Sequence, residues 1–369
     1  VGVKICEPGE RHKESFRTAS LAAVSGGVTS IITRPDTIPA IDTPEKLEFV
    51  IKRADTVSPI NIYPMAALTR DRAGSEMTEL GLLRDAGAIG FTDCDQVMAN
   101  NKVLTRCLTY AASLDMLVQG HPQDITLSAG ASATSGKFAS LRGLPSVNAI
   151  AETIGVQRDL AIVELTGVKY HFDQLSTSRA LDPLKRAKRD GLDVTAGVSI
   201  HHLTLNEMDI GDYRTFFKIK PPLRSEDDRL AMVEAIADGT IDIISSMHTP
   251  QDEESKRLPF EEAASGAVGL ETILPASLKL YHNNSVSLPK LFRALSLNPA
   301  KRFNLNRGTL EPNKKADLVL FDADAPFVLN RFTLNSKSKN TPYDESLMQG
   351  KVIKTFVNGL EVYGESINE

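Results

Sequence analysis

The run Ile241-Asp242-Ile243-Ile244-Ser245-Ser246-Met247-His248-Thr249-Pro250 has the form of a buried strand that breaks into a loop. A β-branched apolar stretch gives way to two small polar residues, and a proline ends further pairing. In barrel enzymes the residue at such a strand end faces the active-site mouth, where a general base or metal ligand is expected. Here that residue is Met247, whose thioether has no exchangeable proton. Other residues capable of chemistry stand at further strand ends: Asp93 after GAIGF, His121 after LDMLVQ, and His201-His202 after LDVTAGVS. Near the beginning, Gly2, Lys4 and Cys6 fall on one face by the period of two. Cys6 as a nucleophile would need a nearby base and an activating environment.

The elements that must position these residues alternate regularly. Strands are predicted at 1–5, 28–33, 60–66, 87–91, 114–119, 168–175, 192–199 and 241–246. Helical patterns lie between them at 75–86, 100–112, 177–190 and 226–238, followed by 261–281 and 288–303. Eight strands separated by helices predict an α/β fold, a parallel (β/α)8 TIM-type barrel. The texture changes near 306. Ala316–Asp322 reads as a turn feeding a strand and Val352–Val357 as a second strand, and Asn358-Gly359 before Leu360–Tyr363 is a strong hairpin signal. We therefore divide the chain into a barrel over 1–305 and the C-terminal part of a small, incomplete β-sandwich domain over 306–369. Its N-terminal strands are expected before Val1. The stretch 334–340 reads as a polar, basic loop, and His171, at odd spacing from Gln174, is expected to face the helices.

Composition narrows the function classes. A formal net charge of -5 argues against a nucleic-acid binder held by phosphate contacts. No run approaches the roughly 18 apolar residues that a membrane span needs. Three cysteines, Cys6, Cys94 and Cys107, offer no disulfide framework, which fits a reducing cytoplasm.

Several landmarks occur together: Glu7-Pro8-Gly9, Arg34-Pro35-Asp36-Thr37-Ile38-Pro39, Lys218-Ile219-Lys220-Pro221-Pro222-Leu223-Arg224, Gly239-Thr240-Ile241-Asp242, Gly269-Leu270-Glu271-Thr272 and Ser336–Tyr343. In combination they resemble the dihydroorotase family of the amidohydrolase superfamily, over essentially the whole chain. That resemblance implies a zinc-dependent barrel enzyme of pyrimidine biosynthesis interconverting carbamoyl-aspartate and dihydroorotate. It also implies which positions should carry the chemistry. The first-strand His-x-His-x-Arg corresponds to Gly2, Lys4 and Cys6, so both ligands and the substrate clamp are replaced. The strand-six histidine corresponds to Gln174 and the catalytic aspartate to Met247. Asp93 and His121 match retained metal positions. The substrate-binding positions read Cys6, Asp36, Lys220 and His248. His201-His202 match a pair that braces the strand-seven loop, and Lys4 would supply positive charge where the metal stood. These departures imply no working zinc site and no expected cofactor. The chain then resembles catalytically silent family members that accompany aspartate carbamoyltransferase, and an oligomer is expected. The alternative is an active dihydroorotase or related cyclic-amide hydrolase with zinc in an atypical site.

Overall fold

The computed structural model describes residues 1–364, so the last five residues of the predicted β unit, 365–369, lie outside the described residues. All eight predicted barrel strands are present, parallel and in ring order, though short. The first is reduced to a bridge between Val3 and Thr33. The second and third are Ser30–Thr33 and Asn61–Pro64. The fourth is a single residue, Phe91, bridged to Ala66 on one side and Val118 on the other. The fifth to eighth are Leu117–Gly120, Lys169–Phe172, Val194–Ser199 and Ile243–Ser245, paired in sequence. The ring closes where the Lys4 amide donates to the His248 carbonyl at 2.9 Å.

Side-chain alternation builds the core between this ring and the helices. Val3, Ile5, Ile31, Phe91, Val118, Phe172 and Val198 pack outward against helical Phe16, Leu47, Leu83, Leu104 and Leu184. Tyr170 follows the same rule, donating to Asp159 of the helix Ile150–Thr166 at 2.8 Å. His171, one residue on, must face the other way. Its ring lies over Gly197 of the neighbouring strand and bonds Thr195 at 2.8 Å, so the expectation that it faces the helices is wrong.

Helix Glu226–Asp238 forms as predicted, with Ser225 capping it and three carboxylates in its first turn. The predicted helix 261–281 is shorter, Ile273–His282. The part before it is loop, because Ala267 pairs with His248 as a continuation of the eighth strand. Only Leu80–Asp85 of the stretch 75–86 is helical, the preceding residues making a bridge from Met77 to Thr69.

Beside the barrel lies a three-stranded antiparallel sheet in which Leu347–Val357 is flanked by Leu318–Val328 and Leu360–Gly364. The hairpin turns at Asn358-Gly359, both at positive φ, as the pair predicts. Its inner face packs Val319, Phe321 and Val352 on Leu274 and Leu278. Its outer face leaves Leu318, Leu320, Leu347 and Leu360 exposed. No helix among the described residues is long and apolar enough to cross a membrane.

One buried ion pair organises the loops above the fifth to seventh strands. The Glu152 carboxylate, fully buried, accepts from the amides of Ser176 and Thr177 at 2.9 Å each and from Gln123 at 3.2 Å. Arg224 closes the cluster, donating to Ser176 Oγ at 3.0 Å, to Thr134 at 3.2 Å and to Glu152 at 3.4 Å. Removing one partner strands the other charge without water. Arg224→Met is expected to lower unfolding free energy by about 3–5 kcal/mol. The double variant Glu152→Gln/Arg224→Met should lose clearly less than the two single losses combined. Denaturant titration of the set measures this, and simple additivity would mean that the pair is not coupled.

Candidate functional site

The strand ends converge on a mouth filled by the protein's own side chains. Gly2, at φ +74, is the first of them; a Cβ added there would lie 2.2 Å from Met247 Sδ. The thioether therefore occupies the space that any side chain at position 2 would need. Met247 itself is buried and sits at φ +41, a left-handed backbone that Asp or Asn tolerates far better than Met.

Lys4 follows on the same face, with its ammonium 3.6 Å from Asp36 and 3.8 Å from Glu10. The expected positive charge at this point is thus present as a lysine ion pair. Arg34 enters from the second strand, 2.7 Å from Asp36 and 3.6 Å from Asp95. Arg72 and Lys220 reach Asp95 at 3.5 and 3.4 Å. Arg34 and Asp95 were not singled out by the sequence reading. The signal was available: an arginine in the turn after the second strand and a second carboxylate two residues beyond Asp93. Buried Cys6 remains a thiol, its pKa pushed up to about 12 chiefly by burial. It can neither attack as a thiolate nor hold a carboxylate bidentately.

Asp93 is used structurally. Its Oδ1 accepts from the amides of Leu68 and Thr69 at 2.9 and 3.0 Å, and its Oδ2 accepts from Thr69 Oγ1 at 2.5 Å. Burial raises its pKa against those bonds. Asp93, which the resemblance matches to a metal position, thus makes structural polar contacts here. The side chain that lies among Asp36, Arg34, Arg72 and Asp95 is its neighbour Cys94, again at a positive φ of 58.

His121 is buried, and neither ring nitrogen has a partner among the described residues. Burial first, then nearby Lys220, lowers its pKa to about 3, so the ring is neutral. Gln174 lies in the mouth as expected, but its amide is turned onto the Lys220 carbonyl at 3.3 Å.

His248 does not face a substrate. Its Nδ1 accepts from the Gly269 amide at 3.2 Å, and its Nε2 lies 3.3 Å from fully buried Glu14. Burial would raise the Glu14 pKa, but bonds from His248, Ser336 and Thr18 hold it below the usual carboxylate range. Ser336 belongs to the 334–340 stretch, which is a strap and not a free loop. Ser338 donates to the Lys13 carbonyl at 2.8 Å, and Asn340 donates to Thr249 and Gly266 at 3.1 and 3.0 Å. His201 and His202 brace as expected, against Tyr343 and the Pro222 carbonyl, each at 3.3 Å.

These residues do not fit zinc. Among the described residues no cluster of three or more His, Cys, Asp or Glu side chains could hold a metal ion. The family positions supply a glycine, an ammonium and an amide already engaged, and lysine repels a divalent cation.

Comparison with known proteins accords with this architecture. A family model described as dihydro-orotase-like matches residues 1–180. The dihydroorotase of Wolbachia sp. subsp. Drosophila simulans (strain wRi) is 38% identical over 99% of this chain and 82% of its own length. That of Syntrophus aciditrophicus (strain SB) is also 38% identical, over 97% and 84%. Among solved structures, the L-hydantoinase (dihydropyrimidinase) of Arthrobacter aurescens superposes with a TM-score of 0.87 at 24% identity. It covers 100% of this chain and 86% of that one, and shows the same barrel fold.

Two outcomes test the site. Gly2→Ala should cost about 1–3 kcal/mol by overpacking against Met247. Adding Met247→Ala should return the packing part, so that a double-mutant cycle in denaturant gives a favourable coupling. The second concerns pH. His121, His201 and His202 hold folded pKa values of about 3, about 3 and about 4, below the ordinary 6.5, each chiefly through burial. Below pH ~6.5 the unfolded chain binds protons that the folded chain excludes, so stability falls on acidification, by about 1 kcal/mol per histidine per pH unit. Asp173, raised by burial to about 6, works oppositely and offsets one of them. The denaturation midpoint should drop between pH 6.5 and pH 5, with these three rings' NMR shifts constant throughout; titration of any of them in that range would contradict the assignment.

Proposed function

Because the chain belongs to the dihydroorotase family, we propose that it is a member of the pyrimidine-biosynthesis group that has lost its zinc site and serves as a structural partner. The partner is an aspartate carbamoyltransferase-like protein, bound in a cytoplasmic oligomer. The observation that carries the reading is Met247 Sδ lodged against Gly2. It removes the proton acceptor and fills the place of the first imidazole in one step.

The rest of the mouth supports the same conclusion. Ring opening or closure needs a hydroxide source, a base and a carboxylate clamp. Lys4 and Gln174 cannot generate the first, Met247 cannot act as the second, and Cys6 cannot act as the third. What persists is shape, in a complete ring of eight strands with its loops pinned. Surface chemistry supports a docking role: Val328 and Leu347, paired across two strands, are both exposed, and Phe332 is exposed close by in the chain. The second reading, an active dihydroorotase or cyclic-amide hydrolase with zinc held in an unfamiliar way, is favoured by the name of the relatives at 38% identity.

Elemental analysis and a dihydroorotate hydrolysis assay on the purified chain separate the two. We expect substoichiometric zinc, no turnover, no recovery in Met247→Asp, and an unfolding temperature unchanged by chelator. Mixed with an aspartate carbamoyltransferase, the chain should co-elute and raise transferase activity. Stoichiometric zinc with turnover lost in His121→Ala would reverse the assignment, and no association at micromolar concentration would remove the partner.

A further inference from the structure

The helix Ile150–Thr166 lies on the outside of the barrel and is apolar on both sides. Its inner side packs Val156, Ile162 and Val163 into the core. Its outer side exposes Ile150, Ile154, Ala161 and Leu165, with Gln157 and Glu164 as the polar residues among them. A surface helix ordinarily turns a charged face to water. The adjacent helix Leu181–Arg189 does so, with Lys185, Arg186 and Arg189 outward. Leu165, near the C-terminal end, is 75% exposed. At the N-terminal end the Asp124 amide donates to the Ala151 carbonyl at 2.8 Å. That bond brings the short helix Ile125–Ser128, with Ile125 and Leu127 exposed, beside the first turn.

The exposed apolar positions are matched about the middle of the helix. Counted from the point between Gln157 and Arg158, Ile150 and Leu165 stand equally far out, and so do Ile154 and Ala161. A second copy related by a two-fold axis through that point runs antiparallel and sets every one of them against an apolar residue. Ile154 meets the second copy's Ala161, and a large side chain opposite a small one lets two helices approach closely. The second copy's Leu165 arrives at the first turn, where Ile150, Ile125 and Leu127 are gathered. Gln157, whose amide both donates and accepts, meets its own equivalent beside the axis.

Charge selects the same direction. Glu164 sits in the last turn, where a carboxylate opposes the dipole of its own helix. That turn holds no basic residue to offset it, and Glu164 makes no ion pair among the described residues. Antiparallel packing carries it to the N-terminal turn of the second copy, where a carboxylate is favourable. We propose that the outer face of Ile150–Thr166 is the contact of a two-fold symmetric dimer of this chain. The proposal goes beyond the metal-free reading and does not depend on it, because a barrel with or without zinc presents the same helix.

Sedimentation of the purified chain from low to high micromolar concentration should show a monomer–dimer equilibrium. Leu165→Glu and Ile154→Arg, both at exposed side chains, should each weaken it about tenfold or more and leave the unfolding temperature of the monomer unchanged. Leu347→Glu, on the C-terminal sheet, should not weaken it. Thiol linking reads the direction, since Cys6, Cys94 and Cys107 are buried. A short bis-maleimide should join Gln157→Cys to itself, and Ile150→Cys to Leu165→Cys when the two variants are mixed, but neither of these to itself. A chain that stays monomeric, or a dimer that ignores Leu165→Glu or is lost in Leu347→Glu, overturns the proposal. Linking of Leu165→Cys to itself without linking of Gln157→Cys overturns it too, as a parallel contact. So does a monomer whose co-elution with an aspartate carbamoyltransferase is abolished by Leu165→Glu, which would give this face to that partner.

Discussion

Eight parallel strands deliver their terminal side chains into one small volume, and a charge buried there without a counter-charge is worth several kcal/mol of instability. Every feature of this mouth answers that constraint. In a zinc barrel the ion supplies the positive charge around which histidines and carboxylates gather. Here the counter-charges are covalent parts of the chain. Lys4 meets Asp36 between the first two strands, and Arg34 ties the second strand to Asp95 beyond the fourth. Lys220 brings the loop after the seventh strand to the same carboxylate. Strand-to-strand links are made here by ammonium and guanidinium groups.

The apolar part of the mouth is an interlock. Glycine at position 2 and methionine at position 247 are each poor choices alone. The glycine leaves a hole at a strand end, and the methionine occupies a backbone conformation better suited to Asp or Asn. Together they fill one volume, so reversing either one meets a clash or a void. A side chain at position 2 needs 247 shortened first.

Much of this was legible in the sequence because strand ends are marked by punctuation. β-Branched runs ending in Gly, Pro and small polar residues located all eight strands, and Asn358-Gly359 located the hairpin. The proline after Met247 pointed to the mouth. What escaped was direction. His171 was assigned to the helix side by counting from Gln174, but the strand ends at Phe172, and the period of two does not run beyond it. Asp93 was matched to a metal position by the resemblance, which says nothing of what its carboxylate bonds. Beside the left-handed turn at Cys94, the acid bonds the Leu68 and Thr69 amides. Residues 261–272 read as helix by composition, although Ala267 bridges His248 in parallel just past the eighth strand.

The loops show how the outline of the mouth is held. The stretch 334–340 comes from the far end of the chain and crosses the loops after the first and eighth strands. Ser336 bonds Glu14, and Asn340 bonds Thr249 and Gly266. Glu14 in turn holds His248, the residue beside the lost base. A histidine that neighbours a catalytic aspartate could serve substrate, but one clamped between a fully buried carboxylate and a backbone amide serves the loop. On the opposite side, Glu152 and Arg224 do the same for the loops after the fifth to seventh strands. The polar networks that endure are therefore those that fix the outline of the mouth, while the positions that would touch a reacting group have turned inward onto one another. Under the reading proposed above, a surface held this firmly is suited to docking a partner.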